Sequence, residues 1–240
     1  MSALAHYLEE EGIASVAIAL IRPQAENTRP PRGLWVPFEL GRPIGPPSDA
    51  AFQKRVILTA LGLLTEKPQV SLIVDFPDDD PREVADPDWR PPVMPRRATG
   101  HGTVLADTVL AELRALAQAY AQSCTQRLRS TVGLSGLPPA ECGDYLVGWL
   151  RGERPPTPVA DMSSALALRF AIDDLKAYTL EAALVGSRPS SQQQGDWLWN
   201  GTALGAALQV LRRDCLAGDD ERLKAVAAFF VPALRVPPDG

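Results

Sequence analysis

The sequence predicts an α/β N-terminal part, with a short, mostly parallel, Rossmann-like sheet, followed by a mainly α-helical C-terminal part. Three observations carry this. Residues 13–21, IASVAIALI, are a continuous apolar run rich in β-branched residues, which suits a strand buried on both faces of a parallel sheet. GLWVPF at 33–38 and QVSLIVDF at 69–76 read as two more strands, with a helical pattern at 50–65 between them. From residue 103 onward apolar positions recur at helical spacing, beginning with Leu105, Val109, Leu113, Leu116 and Tyr120.

Taken in order, ALAHYLEEE at 3–11 reads as a helix closed by Gly12 at the C′ position. The run at 13–21 and the segment at 33–38 follow as strands. Ser48 and Asp49 are N-cap candidates for the helix at 50–65, where Phe52, Val56, Leu61 and Leu64 form its apolar stripe. The strand at 69–76 completes an α/β part over 1–76. Residues 77–102 are a long connection rich in proline and charge, of a length that is uncommon in structureless loops. The helical part covers 103–240. Its first helix ends near Arg129, and a turn or short strand spans 131–139. Pro138 and Pro139 open a helix to about residue 150, and Ser163 or Ser164 caps one to about 185. Asp196 is the predicted cap of a helix at 197–216, and Asp219 of the last, at 220–231. The 23 prolines cluster in the connections, where a fixed φ and a missing N–H cost least.

Composition narrows the function classes. The 240-residue chain carries a net charge of -5, against the basic face a nucleic-acid binder needs. No apolar run reaches the roughly 18 residues that span a bilayer. The first residues hold acids where a secretory leader is basic, so a cytoplasmic location is expected. Cys124, Cys142 and Cys215 are few and scattered, and read as reduced thiols. CxxC, HExxH and GxxxxGK[ST] do not occur, and His6 and His101 are the only histidines. No metal site or cofactor is expected.

The densest candidate site is FELGRPIGPP, residues 38–47, placed after a strand and before a helix N-terminus. Open α/β sheets bind ligands beyond their strand carboxyl ends, and a helix N-terminus suits an anion. Glu39 is a candidate base or anchor, and Arg42 a candidate carboxylate contact. Asp75 closes the third strand at a ligand-facing position and completes the catalytic candidates. Trp35, Gly41 and Gly45 are candidate substrate contacts. In the plainer reading Glu39 and Arg42 pair with each other or with neighbours to fix the loop.

Other residues are weighed the same way. LRFAIDDLKAYTLEAAL, 168–184, is apolar around nearly its whole circumference and reads as a buried central helix. Asp174, Tyr178 and Glu181 share one face, which either lines a substrate cleft or ties helices together internally. Arg169 and Asp173 stand at i,i+4. Trp197 and Trp199 point to different faces, with core packing of both the better reading. Asp78–Asp80 suit a solvated turn more than a cation loop. Cys142, near a helix N-terminus, is the one thiol whose pKa the position would lower.

The stretch from Leu4 to Leu64 resembles the C-terminal part of the glycine/sarcosine/betaine reductase selenoprotein B and D-proline reductase PrdB-type family. The matching pieces are EEEGIASVAI and VPFELGRPIGPPSDAAF, with Gly41, Pro43 and Pro46 or Pro47 on that family's Gly and Pro positions. The resemblance implies an oxidoreductase acting on a small amine or carboxylate compound. It also implies a redox selenocysteine or cysteine just before the helix that ends at Gly12. Residues 1–12 hold no Cys. Two expectations follow. Either a Cys- or selenocysteine-containing partner subunit or a second protomer completes the site, or the scaffold serves a non-catalytic ligand-binding or assembly subunit.

Overall fold

The computed structural model describes residues 2–81, 85–92, 102–186 and 189–236. The chain divides into two compact units, residues 1–84 and 85–240. His101 and parts of the 77–102 connection lie outside the described residues.

The first unit runs α1 (Ser2–Glu10), β1 (Ala17–Ala19), α2 (Arg22–Thr28), β2 (Arg32–Trp35), α3 (Ala50–Gly62) with a 3₁₀ turn at Leu63–Thr65, and β3 (Leu72–Asp75). The strands are parallel in the order β1-β2-β3. Ala19 is in register with Trp35, and Trp35 with Asp75, so the three strands end together. The order advances in one direction, so no reversal that would create a dinucleotide crevice occurs among these strands.

Local chemistry explains most of these elements. Gly12 has φ 78° and donates to Glu9 O, while Ile13 donates to Leu8 O, a Schellman close at the predicted glycine. The strand expected at 13–21 shrinks to residues 17–19. Ser15 instead gives its N–H to the Glu9 carboxylate at 2.6 Å, which holds the chain out of the ladder. The β1 residues are half-buried, not buried on both faces. Helix α2 has no counterpart in the sequence reading. RPQAENT is short and polar, carries a proline in its first turn, and ends on Arg29 in the left-handed region. The core joins Leu34, Val36, Val56 and Ala60 to Phe38, Phe52 and Phe76. These three rings pack with centroids 5.5–5.9 Å apart.

The second unit is helical throughout its described residues: α4 (Thr103–Arg127), α5 (Pro139–Leu150), α6 (Ser164–Ala182), α7 (Ser191–Gly201), α8 (Ala203–Ala217), α9 (Glu221–Ala227) and a 3₁₀ turn at Ala233–Arg235. Helix α6 is the central one, with Leu168, Ala171, Ile172, Leu175 and Ala182 fully enclosed. Trp197 and Trp199 are both buried. Ser163 caps α6 as predicted. The helix expected at 197–216 is two helices. Ser190 opens α7 through a capping box with Gln193, and Thr202 opens α8. Asp196 lies inside α7 and pairs with Arg235. Asp220, not Asp219, caps α9. No described helix is long and apolar enough to cross a membrane.

Candidate functional site

The in-register strand ends bring Trp35 and Asp75 to the carboxyl edge of the sheet, beside the start of α2. Arg22 reaches across this edge. Its Nε lies 3.2 Å from Asp75 Oδ1 and its Nη2 3.3 Å from Oδ2, a forked contact, and it also pairs with Glu26. The same guanidinium stands 5.8 Å from the Trp35 ring centre.

The loop from β2 to α3 folds over by two successive turns, Arg42 N–H to Glu39 O and Gly45 N–H to Arg42 O, both at 3.0 Å. Gly41 and Gly45 have φ of 94° and 88°, a region that favours glycine. Gly45 is also constrained by space, because a Cβ there would lie 2.5 Å from the Phe52 ring. The turns set Arg42 between two carboxylates, 3.6 Å from Glu39 and 3.7 Å from Asp80. Arg55 holds Asp78 at 2.9 Å. Asp80 is buried, so the reading of 78–80 as a solvated turn fails at Asp80, while Asp79 is exposed and Asp78 partly so. The predicted anion seat at the α3 N-terminus is already used: Asp49 accepts the Phe52 N–H at 3.0 Å.

The edge therefore gathers the guanidiniums of Arg22, Arg42 and Arg55 with the carboxylates of Glu26, Glu39, Asp75, Asp78 and Asp80. Among the described residues of this set carboxylates outnumber guanidiniums, which suits a cation better than the anion expected from the helix terminus. Arg22 and Asp80 were not among the sequence candidates. Arg22 follows the apolar run 13–21, but its pairing with Asp75, 53 residues away, leaves no local signal. The burial of Asp80 has none in a DDD run.

Asp174, Tyr178 and Glu181 belong to the helical unit, and Asp174 and Glu181 are turned onto the 131–135 segment instead of a cleft. Asp174 accepts the backbone N–H groups of Gly133, Leu134 and Ser135 and the Ser135 hydroxyl. Burial opposes its ionisation, but the Ser135 hydroxyl and the three N–H groups outweigh burial and hold the carboxyl below its usual value. Glu181 accepts the N–H and hydroxyl of Thr131, each at 2.7 Å. Tyr178 donates to the Leu113 carbonyl at 2.8 Å, and its pKa is pushed up to about 12 by burial and by Tyr120. This face ties α6 to α4 and to the turn before α5.

The cysteines all lie in the helical unit. Burial pushes the Cys142 and Cys215 thiols up, which reverses the lowered value expected for Cys142. Its Sγ is enclosed beside the Ser135 hydroxyl, 3.3 Å away. Among the described residues no group of three His, Cys, Asp or Glu side chains could hold a metal ion. Comparison with family models, with curated proteins and with solved structures finds no match.

Proposed function

We propose that this chain is the binding and assembly subunit of a reductase-like site that a partner chain or second protomer completes. The molecule handled there is small and carries an amine or a carboxylate. The observation that carries the reading is the charge set at the carboxyl edge, Arg22–Asp75 and Glu39–Arg42–Asp80, where open parallel sheets take their ligands. The acid excess there suits an ammonium, and Arg42 is oriented by two carboxylates. Three parallel strands in sequential order with helical crossovers agree with a Rossmann-like half-sheet. The redox thiol or selenol of the resembled family falls to the partner, because residues 1–12 hold no Cys and the unit with the carboxyl edge contains none.

A second reading, a subunit with no ligand at this edge, is favoured by a different observation. Asp75, Asp78, Asp80 and Glu39 each already face an arginine, as in a purely structural lattice. Native mass spectrometry of the protein purified from its host separates the two. A stoichiometric second chain with a redox Cys or selenocysteine supports the split site. Thiol-dependent reduction is then assayed on that complex. Loss of turnover in Glu39→Ala with assembly and melting unchanged, or in Arg42→Ala beyond what its loss of stability explains, supports the role given to the loop. Loss of stability alone leaves the loop structural.

A further inference from the structure

In the helical unit, α4, α5 and α6 enclose a pocket of about 200 Å³. Its apolar lining comes from Leu110, Leu113, Ala117, Pro139, Ala140 and Tyr178. The pocket exists because α4 and α5 meet unevenly. A Cβ on Gly143 would sit 2.8 Å from Leu113 Cδ1, so the glycine allows close approach there. The alanines nearby leave the adjoining space unfilled. The Tyr178 hydroxyl is spent on the Leu113 carbonyl, so the ring offers an apolar surface.

Two exposed charges also line this pocket, Arg114 from α4 and Asp144 from α5. Among the described residues neither side chain makes a hydrogen bond or an ion pair, so they stand beyond salt-bridge distance of each other. Elsewhere in this unit charges in reach do pair, as Arg151 does with Asp107 at 2.8 Å and Lys176 with Asp173 at 2.7 Å. A single ion is drawn to one of these charges and repelled by the other, so it gains little net. Asp144 disfavours a bare anion and Arg114 a bare amine. A zwitterion satisfies both, with its carboxylate on the guanidinium and its ammonium on the carboxylate. The volume lies below the roughly 300–1,000 Å³ of pockets for drug-sized ligands, which excludes a nucleotide or peptide.

We propose that this pocket binds a free α-amino acid with a small apolar side chain. The site lies wholly in the helical unit and stands whether or not the carboxyl-edge reading holds. The test is calorimetric titration of the full chain with L-valine, isobutylamine and isovalerate. L-valine is expected to bind saturably, and each single-charge analogue to bind about tenfold or more weaker, the worth of one charge-assisted contact. Arg114→Gln and Asp144→Asn should each cost L-valine the same factor with circular dichroism and melting unchanged. Ala117→Phe, which fills the pocket, should abolish binding. The proposal is overturned if the analogues bind as well as L-valine or if both charge variants bind it normally. It is equally overturned if L-alanine, L-valine and L-leucine all fail to saturate at millimolar concentration. Should a variant not fold, the comparison of analogues on the unaltered chain still decides.

Discussion

Asp174 and Ser135 are joined twice: one carboxylate oxygen accepts both the serine N–H at 2.9 Å and its hydroxyl at 2.6 Å. The other oxygen accepts the N–H groups of Gly133 and Leu134, so one α6 side chain fixes three successive donors of the turn before α5. Asp174→Asn keeps the shape but turns an NH₂ toward two of these donors. The expected loss is about 1–3 kcal/mol, since at most one fully buried donor, the Ser135 N–H, is orphaned and the Gly133 and Leu134 N–H groups lie near solvent. The folded carboxyl titrates below its usual value, so its contribution is present above the unfolded pKa of about 3.9 and is lost as pH falls through the folded one. Urea denaturation of both proteins should show the gap shrinking in acid.

Glu112 predicts the opposite trend. Its carboxylate accepts Ala203 N–H at 2.8 Å and Leu204 N–H at 3.1 Å, and so caps α8 from α4. Burial raises its pKa, and the two N–H groups offset that only in part. A folded pKa above the unfolded one means the folded state binds the proton more tightly. That contribution is full below the unfolded pKa and fades as pH rises through the folded one. Glu112→Gln presents one acceptor to two donors and should cost about 1–3 kcal/mol at neutral pH. The same urea series should show this gap widening as pH falls toward about 4.3, the unfolded carboxyl value.

Gly41 and Gly45 share a positive φ but not a neighbourhood. Around Gly41 an added Cβ meets nothing within 4 Å, whereas at Gly45 it meets the Phe52 ring. Gly41→Ala should therefore cost only the backbone term, about 1 kcal/mol. Gly45→Ala adds overpacking of the Phe38–Phe52–Phe76 cluster, typically about 1–3 kcal/mol more. Thermal melts of the two variants test the order. Equal losses would mean that the loop relaxes away from Phe52.

Period and capping made much of the fold legible. The stripe Leu105, Val109, Leu113, Leu116 located α4, Gly12 marked the end of α1, and Ser163 the start of α6. What escaped was set by tertiary partners. Gly201 and Thr202 divide one predicted helix into two, because the Thr202 hydroxyl takes the Gly205 N–H and the α8 N-terminus is met by Glu112, 91 residues away. Asp174 and Glu181 read as cleft residues, since spacing shows a shared face but not the loop at 131–135 that covers it. Cys142 sits one turn into α5, where position alone lowers a thiol pKa, yet burial against Ser135 raises it. At the carboxyl edge Glu39, Arg42 and Asp75 were legible from their place after strands. Arg22 and Asp80 were not, because their roles depend on long-range pairing.

Asp80 decides how the candidate loop divides between stability and binding. Its side chain is fully enclosed, and the Arg42 guanidinium stands 3.7 Å from it, while Glu39 on the other side of Arg42 is one-third exposed. Arg42→Ala removes one cation that faces a buried carboxylate and so takes away part of what compensates its desolvation. Glu39→Ala removes only a partly solvated partner, and such pairs contribute about 0–1 kcal/mol. Arg42→Ala should therefore lower the melting temperature clearly, and Glu39→Ala hardly at all. The double change Arg42→Ala with Asp80→Asn separates the causes, because it deletes the buried charge together with the arginine that faces it. Recovery of most of the lost stability in the double variant would assign Arg42's structural part to Asp80. Arg42 would then be assayed for ligand or partner binding in that stable background. If the double variant is no more stable than Arg42→Ala alone, the loop itself depends on the arginine, and Glu39→Ala becomes the variant that reports on function.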